Sequence, residues 1–424
     1  MKRRHSAGRT YVDLFCGCGG LSLGFLQAGY QCILAIDKDP KAVECYNRNL
    51  GRFRARAIVK DIADFTTKAD VISFLEEQGT LLSSCDVVVG GPPCQSYSVV
   101  GRNKVRALIE GNGDLEGLWQ RKSCERTSLF KAYALFLEVL GPRWFLFENV
   151  PTILSHQTFT HIIERFENLS NDGRGRLEYN LVHSNYLASD YGVPQDRRRF
   201  ILVGYRKDLG IKGWKAPEKR TQVFVGDALN DLPRVPHGQK KRKARYSSPA
   251  TTAYQRLMRS GKISGYRGWI FDHICRKHNP DDVALFRHMK PGARFADPEV
   301  QTALHAINPE HKLIKYSKDK FKDKLHKLNS KRPAWTVTAH LQKDCYKFIH
   351  HRQARTITVR EAARLQSFPD WFGFEGLAMI CAFGLIGDAV PPLFVRAFAE
   401  SFITADPGLL KSKRTPRKRS LPRS

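Results

Sequence analysis

Acidic residues are scarce in this chain of 424 residues: Asp and Glu number 41 against 70 Lys and Arg, a formal net charge of +29. An excess of that size points to a polyanionic partner and argues against a basic protein with no partner. Paired cysteines are missing as well. There are 10 Cys but no C-x-x-C pair, which fits free thiols in a reducing cytoplasm. No secretory leader is visible and no apolar run is long enough to cross a bilayer, so no membrane role is expected. His273, Cys275 and His278 lie close together, but a zinc site would need a fourth ligand and no second pair at metal-ligand spacing follows. No metal is expected; that stretch is expected to face nucleic acid or to pack against Phe286 and Met289.

What is present is a stiff corner. The apolar stretch Cys85-Asp86-Val87-Val88-Val89-Gly90 reads as a buried strand, and Gly91-Pro92-Pro93 ends it and lifts Cys94 to its tip, before Gln95. A cysteine at the carboxyl end of a strand in an α/β sheet is a nucleophile candidate; its bland reading is a small side chain capping a turn. Upstream, Tyr11-Val12-Asp13-Leu14-Phe15-Cys16-Gly17-Cys18-Gly19-Gly20 is a strand entering a Gly-rich turn, followed by a helical stripe of Leu21, Phe25 and Ala28. About twenty residues on, a second strand ends in Asp37, where a doubly wound sheet holds ribose hydroxyls. The full dinucleotide spacing is absent and no Lys-Ser/Thr pair follows, which argues against a P-loop. A third apolar strand, Trp144-Phe145-Leu146-Phe147, delivers Glu148, either a satisfied structural acid or one whose pKa is raised for proton sharing. In Gln195-Asp196-Arg197-Arg198-Arg199, alternation puts Arg197 and Arg199 on one face of a strand start.

Taken together and in order, these segments resemble the DNA (cytosine-5)-methyltransferases that use S-adenosylmethionine. The match runs over roughly residues 10–205 and 331–405 and includes Asp-Leu-Phe-x-Gly-x-Gly-Gly, Pro-Pro-Cys-Gln, Glu148-Asn149-Val150 and Gln195-x-Arg197-x-Arg199. It continues through Thr356-Ile357-Thr358-Val359-Arg360-Glu361 to Gly387-Asp388-Ala389-Val390-Pro391-Pro392. One departure is visible: the last motif usually carries Asn where Asp388 stands, which adds charge near the cofactor side.

The resemblance implies a chemistry. The Cys94 thiolate adds to carbon 6 of cytosine, which makes carbon 5 nucleophilic. Glu148 serves ring nitrogen 3. Arg197 and Arg199 keep the thiol ionised, and one of them holds the O2 carbonyl. The target base must be flipped out of the duplex. S-adenosylmethionine is the implied methyl donor, held by Phe15, Gly17, Gly19 and Gly20, with Asp37 at the ribose, Asp61 and Ile62 near the adenine, and Leu129 and Val390 on the apolar sides. Cys18, within the turn, reads as a small side chain that fits. Gln95, Ser98, Arg102, Thr336 and Val337 are the implied DNA contacts.

The implied fold is α/β: a Rossmann-like methyltransferase domain with a mostly parallel sheet, plus a smaller irregular target-recognition domain. Residues 10–205, completed by 376–405, are assigned to the catalytic and cofactor-binding domain, 206–350 to target recognition and 351–375 to a hinge. Residues 95–127 are expected to form a mobile lid contacting DNA. Residues 406–424 are expected to be a disordered basic tail, and the runs 240–245 and 411–423, lacking interleaved aromatics or a rigid scaffold, to touch phosphates. The helix 393–402, with Val395, Phe398 and Phe402, is read as core. Double-stranded DNA is the expected partner, a restriction endonuclease of the same site a candidate one, and a nucleoid-associated cytoplasmic monomer the expected state. Rivals are a transfer-RNA cytosine-5 methyltransferase, whose cysteine-containing signature is missing, an inactive DNA-binding protein, against which Cys94, Glu148 and Arg199 stand, and a nicotinamide oxidoreductase, which has no use for the Pro-Pro-Cys corner.

Overall fold

The computed structural model describes residues 8–79, 85–93, 129–156, 158–171, 175–261, 268–315 and 325–410. Cys94, Gln95, Ser98, Arg102, the expected lid and the residues of the basic tail from 411 onward lie outside the described residues.

The first half alternates strand and helix: β1 (Thr10–Leu14), α1 (Gly20–Gln27), β2 (Gln31–Asp37), α2 (Pro40–Leu50), β3 (Ala57–Val59), α3 (Lys68–Glu77), β4 (Val87–Gly90), α4 (Leu129–Leu140), β5 (Trp144–Asn149) and α5 (Thr158–Glu167). A short antiparallel pair, β6 (Leu169–Asn171) and β7 (Gly175–Leu177), precedes the long strand β8 (Tyr179–Leu187), the short β9 (Gln195–Asp196) and β10 (Arg198–Arg206). Among the described residues one sheet has seven strands, in the order β3-β2-β1-β4-β5-β10-β8. The first five are parallel neighbours, and β10 runs antiparallel to both β5 and β8. The central strands β4 and β5 are almost wholly apolar and buried because both faces are covered, whereas the edge strand β8 is polar and partly exposed. Alternation sorts them into two cores: Tyr11, Val87, Val89, Trp144, Leu146, Ile201 and Val203 on one side, Val12, Leu14, Val88, Phe145, Phe147, Phe200 and Leu202 on the other. Strand order reverses between β1 and β4, so the carboxyl ends of these strands open the crevice where doubly wound sheets bind ligands.

The α/β rhythm stops after β10. There follow α6 (Val225–Leu229), β11 (Ala244–Arg245), α7 (Ala253–Arg259), β12 (Trp269–Ile270), α8 (Pro280–His288), α9 (Pro298–Ile307) and β13 (Ala334–Trp335). The chain then returns through α10 (Val359–Leu365), α11 (Met379–Asp388) and α12 (Pro392–Ala405). A separate small core of Leu285, Phe286, Phe295, Leu304, Leu313, Leu325 and Ile349 forms under α8 and α9. Buried ion pairs tie α10 to its surroundings. Arg355 holds Glu361 through two bonds, and Arg364 bridges Asp231 and Asp370. His278 packs against Phe286, with ring centroids 5.2 Å apart, while His273 bonds Thr358 and the Pro233 carbonyl. The stretch Met379–Ala405 is, contrary to the sequence reading, long and apolar enough to cross a membrane, but it is two helices meeting at Ala389 to Pro391, and most of it is buried in the fold. Val395, Phe398 and Phe402 are fully buried there, and the Phe402 ring stacks on Trp144 at 4.7 Å.

The basic run 240–245 departs from expectation. It is not without scaffold or aromatics: it enters β11, which pairs with the Trp269 strand, and Lys243 and Arg245 lie against that ring.

Candidate active site

The crevice is built from four strand ends. At the end of β1 the chain turns with Phe15 at φ 63°, in the left-handed region, which costs a non-glycine residue roughly 1–3 kcal/mol. The Gly17 amide donates to Asp37 Oδ2 at 2.8 Å and the Asp39 amide donates to Asp37 Oδ1 at 2.9 Å, so the second strand end is stitched to the first. Burial pushes the Asp37 carboxyl up, and the two amides oppose that shift. A Cβ on Gly20 would lie 2.3 Å from the Val390 carbonyl oxygen. Glycine there lets the segment joining α11 and α12 press onto the turn, which sets Val390 beside Gly19 and Gly20.

The remaining expected cofactor residues lie on other elements. Asp61 follows β3, the neighbour of β2; it accepts from the Ala63 amide at 3.0 Å and pairs with Lys38 at 3.3 Å. Ile62 is 2 % exposed and belongs largely to the core. Leu129, the first residue of α4, and Val390 are each 7 % exposed. Cys18 is buried, its thiol directed to the Leu385 carbonyl.

On the other side of the crevice, β5 delivers Glu148. Its Oε1 lies 2.8 Å from Arg199 Nε. Burial raises the Glu148 pKa, and Arg199 and Arg197 pull it back. The corner after β4 fits tightly against this acid: a Cβ on Gly91 would sit 2.6 Å from Glu148 Oε2. Asn149 Nδ2 donates to the Pro92 carbonyl at 3.3 Å, fixing the proline corner to β5. The chain therefore reaches Pro93, one residue before Cys94, alongside the Glu148–Arg199 pair.

Arg197 and Arg199 share a face but not an environment. Arg199 is half-buried, on Glu148 and on the Arg198 carbonyl. Arg197 is 1 % exposed and donates to the carbonyls of Val337, at 2.5 Å, and Gly387, at 3.0 Å. Gln195 completes this grip: its Oε1 accepts from the Val337 amide at 2.7 Å, and its Nε2 donates to the Leu365 carbonyl at 2.8 Å. Thr336 Oγ1 donates to the Asp196 carbonyl at 2.8 Å, and β13 pairs in parallel with β9. Thr336 and Val337 are thus docked on the strand start that also carries the arginines.

Asp388, the departure from the usual motif, ends α11 beside Gly387. Burial raises its pKa, Arg197 and Arg199 oppose that rise, and Asp37 adds to it. Sequence reasoning overlooked Asp13. It is fully buried in β1, accepts from Ser22 Oγ at 2.6 Å, and its Oδ1 has no hydrogen-bond partner among the described residues. Burial pushes its carboxyl up to about 7. The signal was available: an acid inside an apolar strand, two residues before the turn.

Residues 9–404 match the sequence profile of the C-5 cytosine-specific DNA methylases, and the chain belongs to that family, whose members are methyltransferases. Among its relatives is the Type II methyltransferase M.XorII of Xanthomonas oryzae pv. oryzae, 34 % identical, with 93 % of this chain and 84 % of that protein covered. Another is the putative Type II methyltransferase M.OihORF3336P of Oceanobacillus iheyensis, 30 % identical, with 92 % and 94 % covered. In fold, the chain is similar to a putative DNA modification methyltransferase encoded in an Escherichia coli prophage, with a TM-score of 0.69 at 22 % identity, covering 94 % of this chain and 99 % of that one.

Proposed function

We propose that this enzyme methylates carbon 5 of a cytosine within a specific double-stranded DNA sequence, with Cys94 as nucleophile, as the modification partner of a restriction system. The observation that carries this reading is the Gly91-Pro92-Pro93 corner, held against the Glu148–Arg199 pair immediately before Cys94.

The target base enters the crevice flipped out of its stack. Cys94 Sγ, as thiolate, bonds to carbon 6, and the displaced electron pair makes carbon 5 nucleophilic while Glu148 gives its proton to nitrogen 3. A free thiol has a pKa of about 8.5, so a cation close by favours the reactive form. Arg199 serves that purpose and is the better placed of the two arginines to hold the O2 carbonyl, because Arg197 is spent on backbone carbonyls. S-adenosylmethionine, when bound, would supply the methyl group as an electrophilic carbon on a cationic sulfur, the carbon–sulfur bond breaking to leave a neutral thioether. The carbon-5 proton is then lost, the electron pair returns to expel the Cys94 thiolate, and nitrogen 3 gives its proton back to Glu148.

The residues at the β1–β2 end fit such a donor. Gly17 and Gly19 open the turn, Asp37 retains acceptor capacity for ribose hydroxyls, Asp61 and Ile62 stand at the adenine end, and Phe15, Leu129 and Val390 give apolar walls. Val337, gripped by Gln195 and Arg197, and Thr336, bonded to the Asp196 carbonyl, pass the orientation of the recognition residues 206–350 to the catalytic core. Gln95, Ser98 and Arg102 follow the nucleophile and would meet the DNA. A cytoplasmic, nucleoid-associated monomer fits this work. The transfer-RNA reading is not favoured, because relatives such as M.XorII are Type II methyltransferases.

Cys94→Ser tests the reading. The variant is expected to lose methyl transfer and keep S-adenosylmethionine binding, and DNA carrying 5-fluorocytosine at the target is expected to form an adduct with the wild type that survives denaturation. Turnover by the serine variant, or no adduct with the wild type, refutes it.

A further inference from the structure

Side-chain exposure alternates along 241–246. Lys241, Lys243 and Arg245 are exposed, while Arg242, Ala244 and Tyr246 are half-buried. The inward set is committed to structure: Arg242 bonds Asp272 and the Leu377 carbonyl, Tyr246 bonds Asp370, and Ala244 pairs with the fully buried Ile270. The outward set is three cations on one strand face, with roughly 7 Å between alternate residues of an extended chain.

Aromatic rings hold two of these three cations. The Lys243 Nζ lies 4.2 Å from the Trp269 ring centroid and 5.8 Å from that of Phe271. The Arg245 guanidinium carbon lies 4.7 Å from the Trp269 centroid, on the residue directly opposite it in the ribbon. Among the described residues none of Lys241, Lys243 and Arg245 pairs with a carboxylate, whereas other exposed cations, such as Lys38, Lys219 and Lys290, do. A ring face orients a cation without neutralising it. The result is a fixed row of uncompensated positive charge, spanning about four phosphates of one DNA strand at ~3.4 Å each.

We propose that the β11–β12 ribbon is a clamp on the sugar–phosphate backbone of the substrate duplex, in which Lys241, Lys243 and Arg245 contact phosphates and Trp269 preorganises the last two. This rests on the DNA-methylating reading above and adds a binding surface to it. Such contacts fix the position of the protein on the duplex and carry no sequence information.

The test uses the full chain carrying K241Q, K243Q and R245Q together, with binding to a duplex containing the methylated site and to an unrelated duplex followed over a range of salt. The slope of log K against log salt is expected to flatten by about 2.7, three contacts at ~0.9 each, equally on both duplexes. The methylated sequence should not change. The side chains changed are exposed, so the thermal midpoint is expected to stay put. Should the triple variant misfold, each single variant is expected to lower the slope by about 0.9. W269L, which keeps all three charges, is expected to leave the slope intact and weaken both duplexes several-fold. An unchanged slope, or an altered methylated sequence, overturns the clamp. Wild type that methylates no DNA would instead refute the function on which the clamp rests.

Discussion

Arg197 and Arg199 are two residues apart and look equivalent in sequence, yet they have different partners, and the different roles proposed for them can be measured. Arg197→Met keeps the length and apolar stem of the side chain but removes the donors to the Val337 and Gly387 carbonyls. Each bond from a charged donor contributes roughly 1.5–3 kcal/mol, so the variant should lose about 3–6 kcal/mol. Unfolding entropy of ~2.1 cal/mol/K per residue, over a chain of 424 residues, converts that to a fall in Tm of about 3–7 °C. Because Val337 belongs to the region joining recognition residues to the core, DNA affinity should fall as well. Arg199→Gln removes the cation from Glu148 at a half-buried site. Its Tm should move by no more than 1–2 °C, since a carboxyl freed of its partner there can take up a proton. Its methylation rate should fall by at least the roughly 10²-fold expected when a group at the reacting base is lost. Thermal unfolding and single-turnover methylation on both variants decide the matter. Equal Tm with equal loss of activity would refute the division, and a stable, inactive Arg197→Met would put both arginines at the base.

Two further predictions follow. Glu148→Gln should lower methylation by about 10²-fold or more with DNA affinity little changed. Burial raises the Glu148 pKa, so the wild-type rate should fall as pH rises through that pKa and the acid loses its proton; a glutamine variant that keeps the same alkaline limb would assign that limb to another group. Asp13 gives a stability test. Its folded pKa of about 7 stands above the unfolded value near 3.9, so its contribution is fully present below the unfolded value and is lost as pH rises to about 7, a change of order 4 kcal/mol. Asp13→Asn should remove that slope and be more stable than the wild type at pH 8, as read by urea unfolding at several pH values; parallel curves for the two proteins would show that Asp13 does not titrate in this window.

How much of this was legible beforehand follows from where each interaction is encoded. The strands were readable because a sheet covered on both faces needs unbroken apolar runs, and Val87-Val88-Val89 and Trp144 to Phe147 are such runs. Asp37 and Glu148 were readable because each ends a run of that kind. The division between Arg197 and Arg199 was not, since it depends on carbonyls at Val337 and Gly387, well over a hundred residues away, which only the folded chain brings to one point. The ribbon at 241–245 was misread for the same reason: its aromatic partner, Trp269, enters the chain 24 residues after Arg245, beyond the range of any local pattern. Asp13 was overlooked because an apolar neighbourhood predicts that an acid will be buried but not whether it will be satisfied.

The convergence itself constrains function. Gly20 cannot carry a Cβ without striking the Val390 carbonyl, and Gly387, in the last turn of α11 three residues before Val390, receives Arg197. Arg197 in turn holds Val337, at the border of the recognition residues. On the roles proposed, a displacement at that turn is expected to reach the residues proposed to read DNA through the Val390 contact and the two Arg197 bonds. On that geometry, donor binding and DNA positioning are expected to be coupled rather than independent, and Arg197 is the side chain through which the coupling passes.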